Sequence, residues 1–239
     1  GEAVGQVHLH TPERVAVAAF RYTPTGGMEN LDPFGSFNSV GWLINSDGVV
    51  YGSDFTDDGQ AAIFLHDGTG FDFIGEEMGD DFESGIRVVA MNDNGDLLGT
   101  TGVFARGRQR PWRYTPDGGW EEFSDLDPRL GQDAHGLLLN DSGAAVMAHD
   151  DFGTRTTFLV TAERQLVEIG DLGGGFTEAL AMNESAQITG NAFNPGNKQI
   201  GFLFTPGEGI RAINRSGFKT VEALHDVVKA GKVRYVRIR

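Results

Sequence analysis

The sequence contains no cysteine, which excludes a disulfide frame, a thiolate nucleophile and Cys-ligated zinc. It is also short of cations: across 239 residues, 19 Lys and Arg face 34 Asp and Glu, a formal charge of −15. Nucleic acid and anionic membrane surfaces both require a basic face, so neither is an expected partner. Long apolar runs are missing too. The longest, Val15–Phe20, falls far below the roughly 18–20 residues that a membrane helix needs. No segment combines the charged, apolar and small-residue parts of a signal peptide, although a mature exported chain has already lost one.

Glycine, by contrast, is abundant. There are 35 glycines in 239 residues, about twice the usual ~7%, and they are spread along the chain, which indicates many turns. With 39% hydrophobic residues and 17 Phe the chain is foldable and not disordered. The turns mark a repeat. Leu43-Ile44-Asn45-Ser46-Asp47-Gly48 recurs as Ala90-Met91-Asn92-Asp93-Asn94-Gly95 and as Leu138-Leu139-Asn140-Asp141-Ser142-Gly143. A fourth copy, Ala181-Met182-Asn183-Glu184-Ser185-Ala186, lacks the glycine. The asparagines are 47, 48 and 43 residues apart. A second landmark keeps step: Phe20, Phe64, Trp112, Phe158 and Phe202 each sit in a strand-like context, 44, 48, 46 and 44 residues apart.

Each unit reads as four short strands; in the third they are Ile86–Asn92, Asp96–Val103, Gln109–Thr115 and Trp120–Leu126. Asn and Gly supply the positive φ of the first hairpin, while β-branched and aromatic residues fill the strands without a sustained helical period. Four antiparallel strands in about 45 residues make a propeller blade. The expected fold is all-β: a five-bladed β-propeller of four-stranded antiparallel blades, with a short C-terminal helix and a closing strand. Blades fall near 1–38, 39–84, 85–133, 134–176 and 177–213, the first lacking its innermost strand. A fragment of a larger ring or an open array fits the same repeat.

The alternation of Ile-Asn-x-x-Gly with a small-Phe-Leu strand, together with Asp171-Leu172-Gly173-Gly174-Gly175, resembles the HAF-type repeat of bacterial extracellular proteins. The resemblance spans residues 1–213, with the family's histidine replaced by Ala18, Ala62, Arg110, Thr156 and Ile200. It implies a β-repeat fold and an exported protein, secreted or periplasmic, and it brings no catalytic residue.

Residues 211–239 hold eight Lys or Arg against two acids, whereas residues 1–210 hold 11 against 32. Within this basic tail, the stretch from Thr220 to Tyr235 resembles a helix-to-strand piece of aldo-keto reductases. That family's catalytic Asp, Tyr, Lys and His have no counterpart here, so no reductase is inferred. Residues 214–239 are expected to form a helix, Val221–Lys229, and a strand, Lys232–Arg239, that closes the ring.

On a propeller, the loops joining strands two to three and those between blades share the usual binding face. That face would receive 15 of the 34 acids, focusing a negative potential. Asp57, Asp58, Asp80, Asp81, Asp150 and Asp151 make up a Ca²⁺ candidate, since this ion takes several carboxylate oxygens; solvated acidic loops are the plainer reading. Asn92-Asp93-Asn94-Gly95-Asp96 lacks the spaced ligands of a calcium loop and reads as a hairpin turn. Glu83, Asp133 and Glu178 are expected just ahead of innermost strands and would suit the paired carboxylates of glycoside hydrolysis. Phe55, Phe104, Phe152 and Phe193 fall in or beside binding-face loops, where aromatics next to Asp, Asn and Gly suit sugar stacking; packing between blades is the alternative. The functional expectation is a monomeric, non-enzymatic binding module for a glycan or another extracellular ligand. A glycoside hydrolase is the alternative, and no cofactor is required.

Overall fold

The computed structural model describes residues 1–10, 15–33, 35, 38–55, 61–74, 86–102 and 109–213. The basic tail, with its expected helix and strand, lies outside the described residues. The described chain is all-β, with 19 strands in five antiparallel sheets and one 3-10 turn, Pro128–Gly131.

It divides into two compact units. The first, residues 1–85 with 93–95, holds two sheets. One is three-stranded: β1 (Ala3–His10), β2 (Val15–Thr23) and β3 (Gly27–Asn30). The other is four-stranded: β4 (Val40–Ile44), β5 (Val50–Phe55), β6 (Ala61–His66) and β7 (Phe71–Ile74). The second unit, residues 86–92 and 96–239, contributes three four-stranded sheets. They are β8 (Ile86–Met91), β9 (Leu97–Thr101), β10 (Arg110–Thr115) and β11 (Gly119–Glu122); β12 (Ala134–Leu139), β13 (Ala145–Asp151), β14 (Thr154–Val160) and β15 (Leu166–Glu168); and β16 (Thr177–Met182), β17 (Ile188–Phe193), β18 (Gln199–Thr205) and β19 (Gly209–Ala212). Within every sheet, consecutive strands are neighbours.

Both landmarks have a physical cause. The repeated aromatic lies on the third strand of each four-stranded sheet and on β2. Phe64, Trp112, Phe158 and Phe202 are fully buried, each worth about 1.5–3 kcal/mol of burial. Such rings need room across the sheet. Gly5, Gly52, Gly99 and Gly190 are the registered partners of Phe20, Phe64, Trp112 and Phe202. A Cβ on Gly52 would stand 2.2 Å from Phe64 Cζ, and one on Gly99 2.1 Å from Trp112 Cζ2. In the β12–β15 sheet the partner is Met147, and the glycine moves one strand over to Gly136, opposite Met147.

The repeated asparagine closes its own turn and holds the next one. Asn140 Oδ1 accepts the Ala144 N–H at 2.8 Å, while its Nδ2 donates to the Asn183 carbonyl at 3.1 Å. Asn92 does the same with the Asp96 N–H (2.8 Å) and the Asn140 carbonyl (3.0 Å), and Asn45 with the Val49 N–H (2.8 Å) and the Asp93 carbonyl (3.2 Å). Within its own turn, Asn183 Nδ2 donates to Gln187 Oε1 at 3.0 Å. The motif is thus a lateral staple between successive hairpins.

Two details depart from the sequence reading. The fourth strand of the third unit ends at Glu122, short of Leu126, because Phe123 turns inward to full burial and its carbonyl takes the Leu126 N–H at 3.0 Å. The first strands of all four four-stranded sheets carry a register shift, at Gly41/Leu43, Val88/Ala90, Gly136/Leu138 and Ala179/Ala181. Each shift inserts one extra residue, which bends the strand and increases its twist.

Candidate functional site

The second unit gathers polar side chains where β12 and β16 begin, β13 ends and β14 starts. The β13–β14 hairpin turns at Phe152-Gly153, which sets Asp151 opposite Thr154 and Asp150 opposite Arg155. The Arg155 fork grips Asp150 through both carboxylate oxygens, Nε to Oδ1 at 2.7 Å and Nη2 to Oδ2 at 3.0 Å, the strong planar geometry of this pair. The guanidinium carbon lies 5.2 Å from the centroid of Phe176, which meets Phe193 edge-on at 5.4 Å. Arg155 N donates to the Gly175 carbonyl at 3.0 Å, so the backbone also ties the hairpin to the approach to β16.

Around this pair stand a second carboxylate and a histidine. Glu178 Oε1 is 3.7 Å from Arg155 Nη1, and Asp150 Oδ2 is 3.7 Å from His135 Nδ1. Burial pushes His135 below the ordinary histidine value, Asp150 pulls it up, and Arg155 and Arg87 push it further down. His149 Nδ1 donates to the Gln132 carbonyl at 3.0 Å. Glu178 and Asp150 keep 36% and 44% of their side-chain surface open to solvent, against 19% for Arg155. The carboxylates therefore lie on the solvent side of the cluster, with the cation more buried behind them.

At the hairpin tip Phe152 is fully exposed and has φ 41°. A left-handed conformation costs a non-glycine residue about 1–2 kcal/mol, and no burial offsets it here. Thr154 Oγ1 fixes the turn by donating to the Asp151 carbonyl at 2.7 Å.

Of the aromatic candidates, Phe152 and Phe193 belong to this cluster, Phe193 as support beneath Phe176. The Phe55 side chain and Phe104 lie outside the described residues. Of the carboxylate candidates, Glu178 is in the cluster. Asp133 (φ 50°) sits just before β12 and accepts the Asp150 N–H with its carbonyl at 3.0 Å. The two hold different repeat positions: Glu178 matches His135, and Asp133 matches Phe176, counting back from Ala179 and Gly136. Glu83 lies outside the described residues, as do Asp57, Asp58, Asp80 and Asp81. Asp150 is engaged by Arg155, and Asp151 is exposed. Among the described residues, no three His, Asp or Glu side chains group as a metal site.

Two acids of the expected binding face hold structure together. Asp127 caps the 3-10 turn and takes the Arg129 fork, whose hydrogen bond holds its carboxyl below the usual range; Arg129 also reaches Glu168 at 2.9 Å and lies over Phe158. Asp125 pairs with Arg164 at 2.8 Å.

No protein-family model and no curated protein sequence matches the chain. The HAF-type and aldo-keto reductase resemblances therefore rest on their quoted residues alone. Among solved structures, the chain is similar to the β-propeller domain of the Trilobed protease from Pyrococcus furiosus, which has an open velcro topology. The TM-score is 0.57 at 8% identity, covering 90% of this chain and 68% of that one. The fold is that of a β-propeller. The chain also aligns with TolB from Acinetobacter baumannii (TM-score 0.49, 12% identity), covering 90% of this chain and 53% of that one, about half of TolB's length. A third alignment is to the Aleuria aurantia lectin in complex with alpha-methyl-L-fucoside (TM-score 0.27, 9% identity), covering 89% of this chain and 94% of that one. The last two likenesses are too loose to bear on function.

Proposed function

We propose that this protein is a non-enzymatic propeller binding module whose β12–β14/β16 face takes a glycan. One observation carries the reading: Phe152 stands fully exposed, in a costly backbone conformation, on the hairpin that also carries Asp150 and Arg155. A pyranose offers an apolar C–H face and a rim of hydroxyls. Phe152 presents an open ring to the first, and the second needs both donors and acceptors. Arg155 Nη1 and Glu178 Oε1, at 3.7 Å, are too far apart for a direct hydrogen bond. A hydroxyl lying between them accepts from one and donates to the other, much as a bridging water does. Asp150 and Phe176 hold the guanidinium in place, which lowers the ordering cost of binding. Action outside the cytoplasm, as a monomer, belongs to the same proposal.

The test is a titration of neutral mono- and oligosaccharides followed by NMR and calorimetry. The reading expects shifts confined to residues 150–155 and 176–178, and loss of at least about tenfold in affinity, ~1.4 kcal/mol, in Phe152→Ala with the fold unchanged. Absence of saccharide-dependent shifts at these residues would overturn it. Product release from chromogenic glycosides, abolished in Glu178→Gln, would replace binding by hydrolysis.

A further inference from the structure

Three first strands of the second unit carry one position in three different chemistries. Arg87 on β8, His135 on β12 and Glu178 on β16 each stand immediately before the residue at which the register of their strand shifts. The strands are tied together at this level. Arg87 opposes Thr100 of β9, whose Oγ1 accepts the Gly136 N–H, next to His135, at 3.1 Å. On the far side of His135, Asp150 lies 3.7 Å from the imidazole and grips Arg155, which in turn lies 3.7 Å from Glu178. Burial holds His135 towards its neutral form against the pull of Asp150, and the charges of Arg155 and Arg87 add to that. Charge along the row therefore runs from a cation at Arg87, through an imidazole, to a carboxylate at Glu178.

Arg87 differs from most arginines of this chain. Arg21, Arg110, Arg113, Arg129, Arg155 and Arg164 each hold a carboxylate. Among the described residues Arg87 and Arg211 hold none; Arg211 lies on the last strand, β19, whereas Arg87 is exposed in the row beside Arg155 and Glu178. We propose that the glycan taken by this face is acidic, and that Arg87 pairs with its carboxylate or sulfate group. Such a preference rests on the face taking a glycan at all, and it adds a second subsite. Hydroxyls of one sugar meet Arg155 and Glu178, and the anionic group of a neighbouring sugar meets Arg87. A guanidinium offers two parallel N–H groups to a planar or tetrahedral oxyanion, a strong and directional pairing. The row also fixes the direction of the ligand, because Glu178 repels an anion placed at the other end. The net charge of −15 does not oppose this at physiological salt, where charges beyond about 8 Å are largely screened and the local groups decide. Locally, Asp150 is already engaged by the Arg155 fork, which leaves Arg87 as the open cation.

Calorimetry and NMR on the full chain at neutral pH test this with matched probes: cellotetraose, galactotetraose and mannotetraose, each against the oligouronate of the same configuration and against its own sulfate ester. For one configuration, an anionic member is expected to bind about tenfold or more tighter than the neutral one. It should also shift Arg87 and Thr100 in addition to residues 150–155 and 176–178. Arg87→Gln is expected to remove that gain, with the neutral affinity kept within about twofold and the Tm of the parent retained, as befits an exposed position. Arg87→Lys should keep part of the gain, since it retains the charge and loses the fork, and the gain should shrink as salt rises. A gain confined to the oligouronate assigns a carboxylate, and one confined to the ester a sulfate. Neutral and anionic members that bind alike, or an Arg87→Gln loss that falls equally on both, would overturn the acidic preference and leave the glycan reading standing. No saccharide-dependent shift at any of these residues takes both away.

Discussion

If the repeated asparagine is a staple between hairpins, Asn140 should be among the costliest polar positions to change. It is 4% exposed. Its Oδ1 accepts the Ala144 N–H at 2.8 Å and the Ser142 hydroxyl at 2.9 Å, and its Nδ2 donates to the Asn183 carbonyl at 3.1 Å. Asn140→Ala removes all three bonds and strands the Ala144 N–H, which is buried. A net loss of about 1 kcal/mol per bond, with one orphan raising its share to 1–3, gives about 3–5 kcal/mol. For a chain of this size that lowers Tm by roughly 6–20 °C. Asn140→Asp is the sharper test. It keeps the Oδ1 acceptor but turns the Nδ2 donor into a second carboxylate oxygen facing the Asn183 carbonyl, so it should cost at least as much as alanine at neutral pH. Urea unfolding of the two variants gives the comparison. An Asn140→Asp protein as stable as the parent would refute the staple.

Gly99→Ala should destabilise by about 1–3 kcal/mol or more, because its Cβ would meet Trp112 Cζ2 at 2.1 Å and the Arg87 carbonyl at 2.7 Å; Gly70→Ala, with nothing within 4 Å, should change thermal unfolding by less than about 0.5 kcal/mol. Trp112→Phe should cost less than about 1.5 kcal/mol in denaturant unfolding: phenylalanine fills this position in the other sheets, and Trp112 Nε1 is buried with no acceptor among the described residues. His135 binds its proton less readily in the folded chain than at the ordinary value of 6.5. The unfolded chain therefore takes up more protons below that pH, and stability should fall as pH drops through 6.5, levelling off once the folded site has titrated. Tm scans from pH 7.5 to 5.5 should show that slope in the parent and a flatter one in His135→Gln.

Much of the fold could be read because its two landmarks answer to strong local physics. A turn that must adopt positive φ selects Asn and Gly, as at Asn92-Asp93-Asn94-Gly95, and a ring that must be buried selects Phe or Trp at one place per sheet. What escaped the reading depends on neighbours far away in sequence. The end of the fourth strand at Glu122 follows from where Phe123 finds a core, and nothing in Trp120–Leu126 signals it. The insertions in the first strands leave no composition cue, because the extra residues, among them Trp42 and Leu137, are as apolar as those beside them. The exchange of roles between Gly136 and Met147 conserves space across a strand pair, so it shows only once the register is known.

The candidate site was legible in its parts and not in its arrangement. Reading for acids and aromatics finds Asp150, Phe152, Glu178 and Phe193, but it passes over the cation that organises them. Hairpin arithmetic holds the missing signal. A two-residue turn at Phe152-Gly153 pairs 151 with 154 and therefore 150 with 155, so Asp150 must face Arg155 across the ladder. An opposite-charge pair at directly opposed positions is a favourable cross-strand combination, and here it becomes a fork rather than a surface contact. That step turns a scattered acidic loop set into an anchored guanidinium, with Glu178 at its open side and Phe176 beneath. His135 offers no such route. Its place beside Asp150 depends on the start of β12 lying next to the end of β13, and only the repeat position it shares with Glu178 hints at it. Equivalent positions on successive first strands are therefore the place to look for function in a chain of this kind: Arg87, His135 and Glu178 share one such position in three consecutive sheets. The repeat conserves the geometry of that position and leaves its chemistry free to change from cation to imidazole to carboxylate.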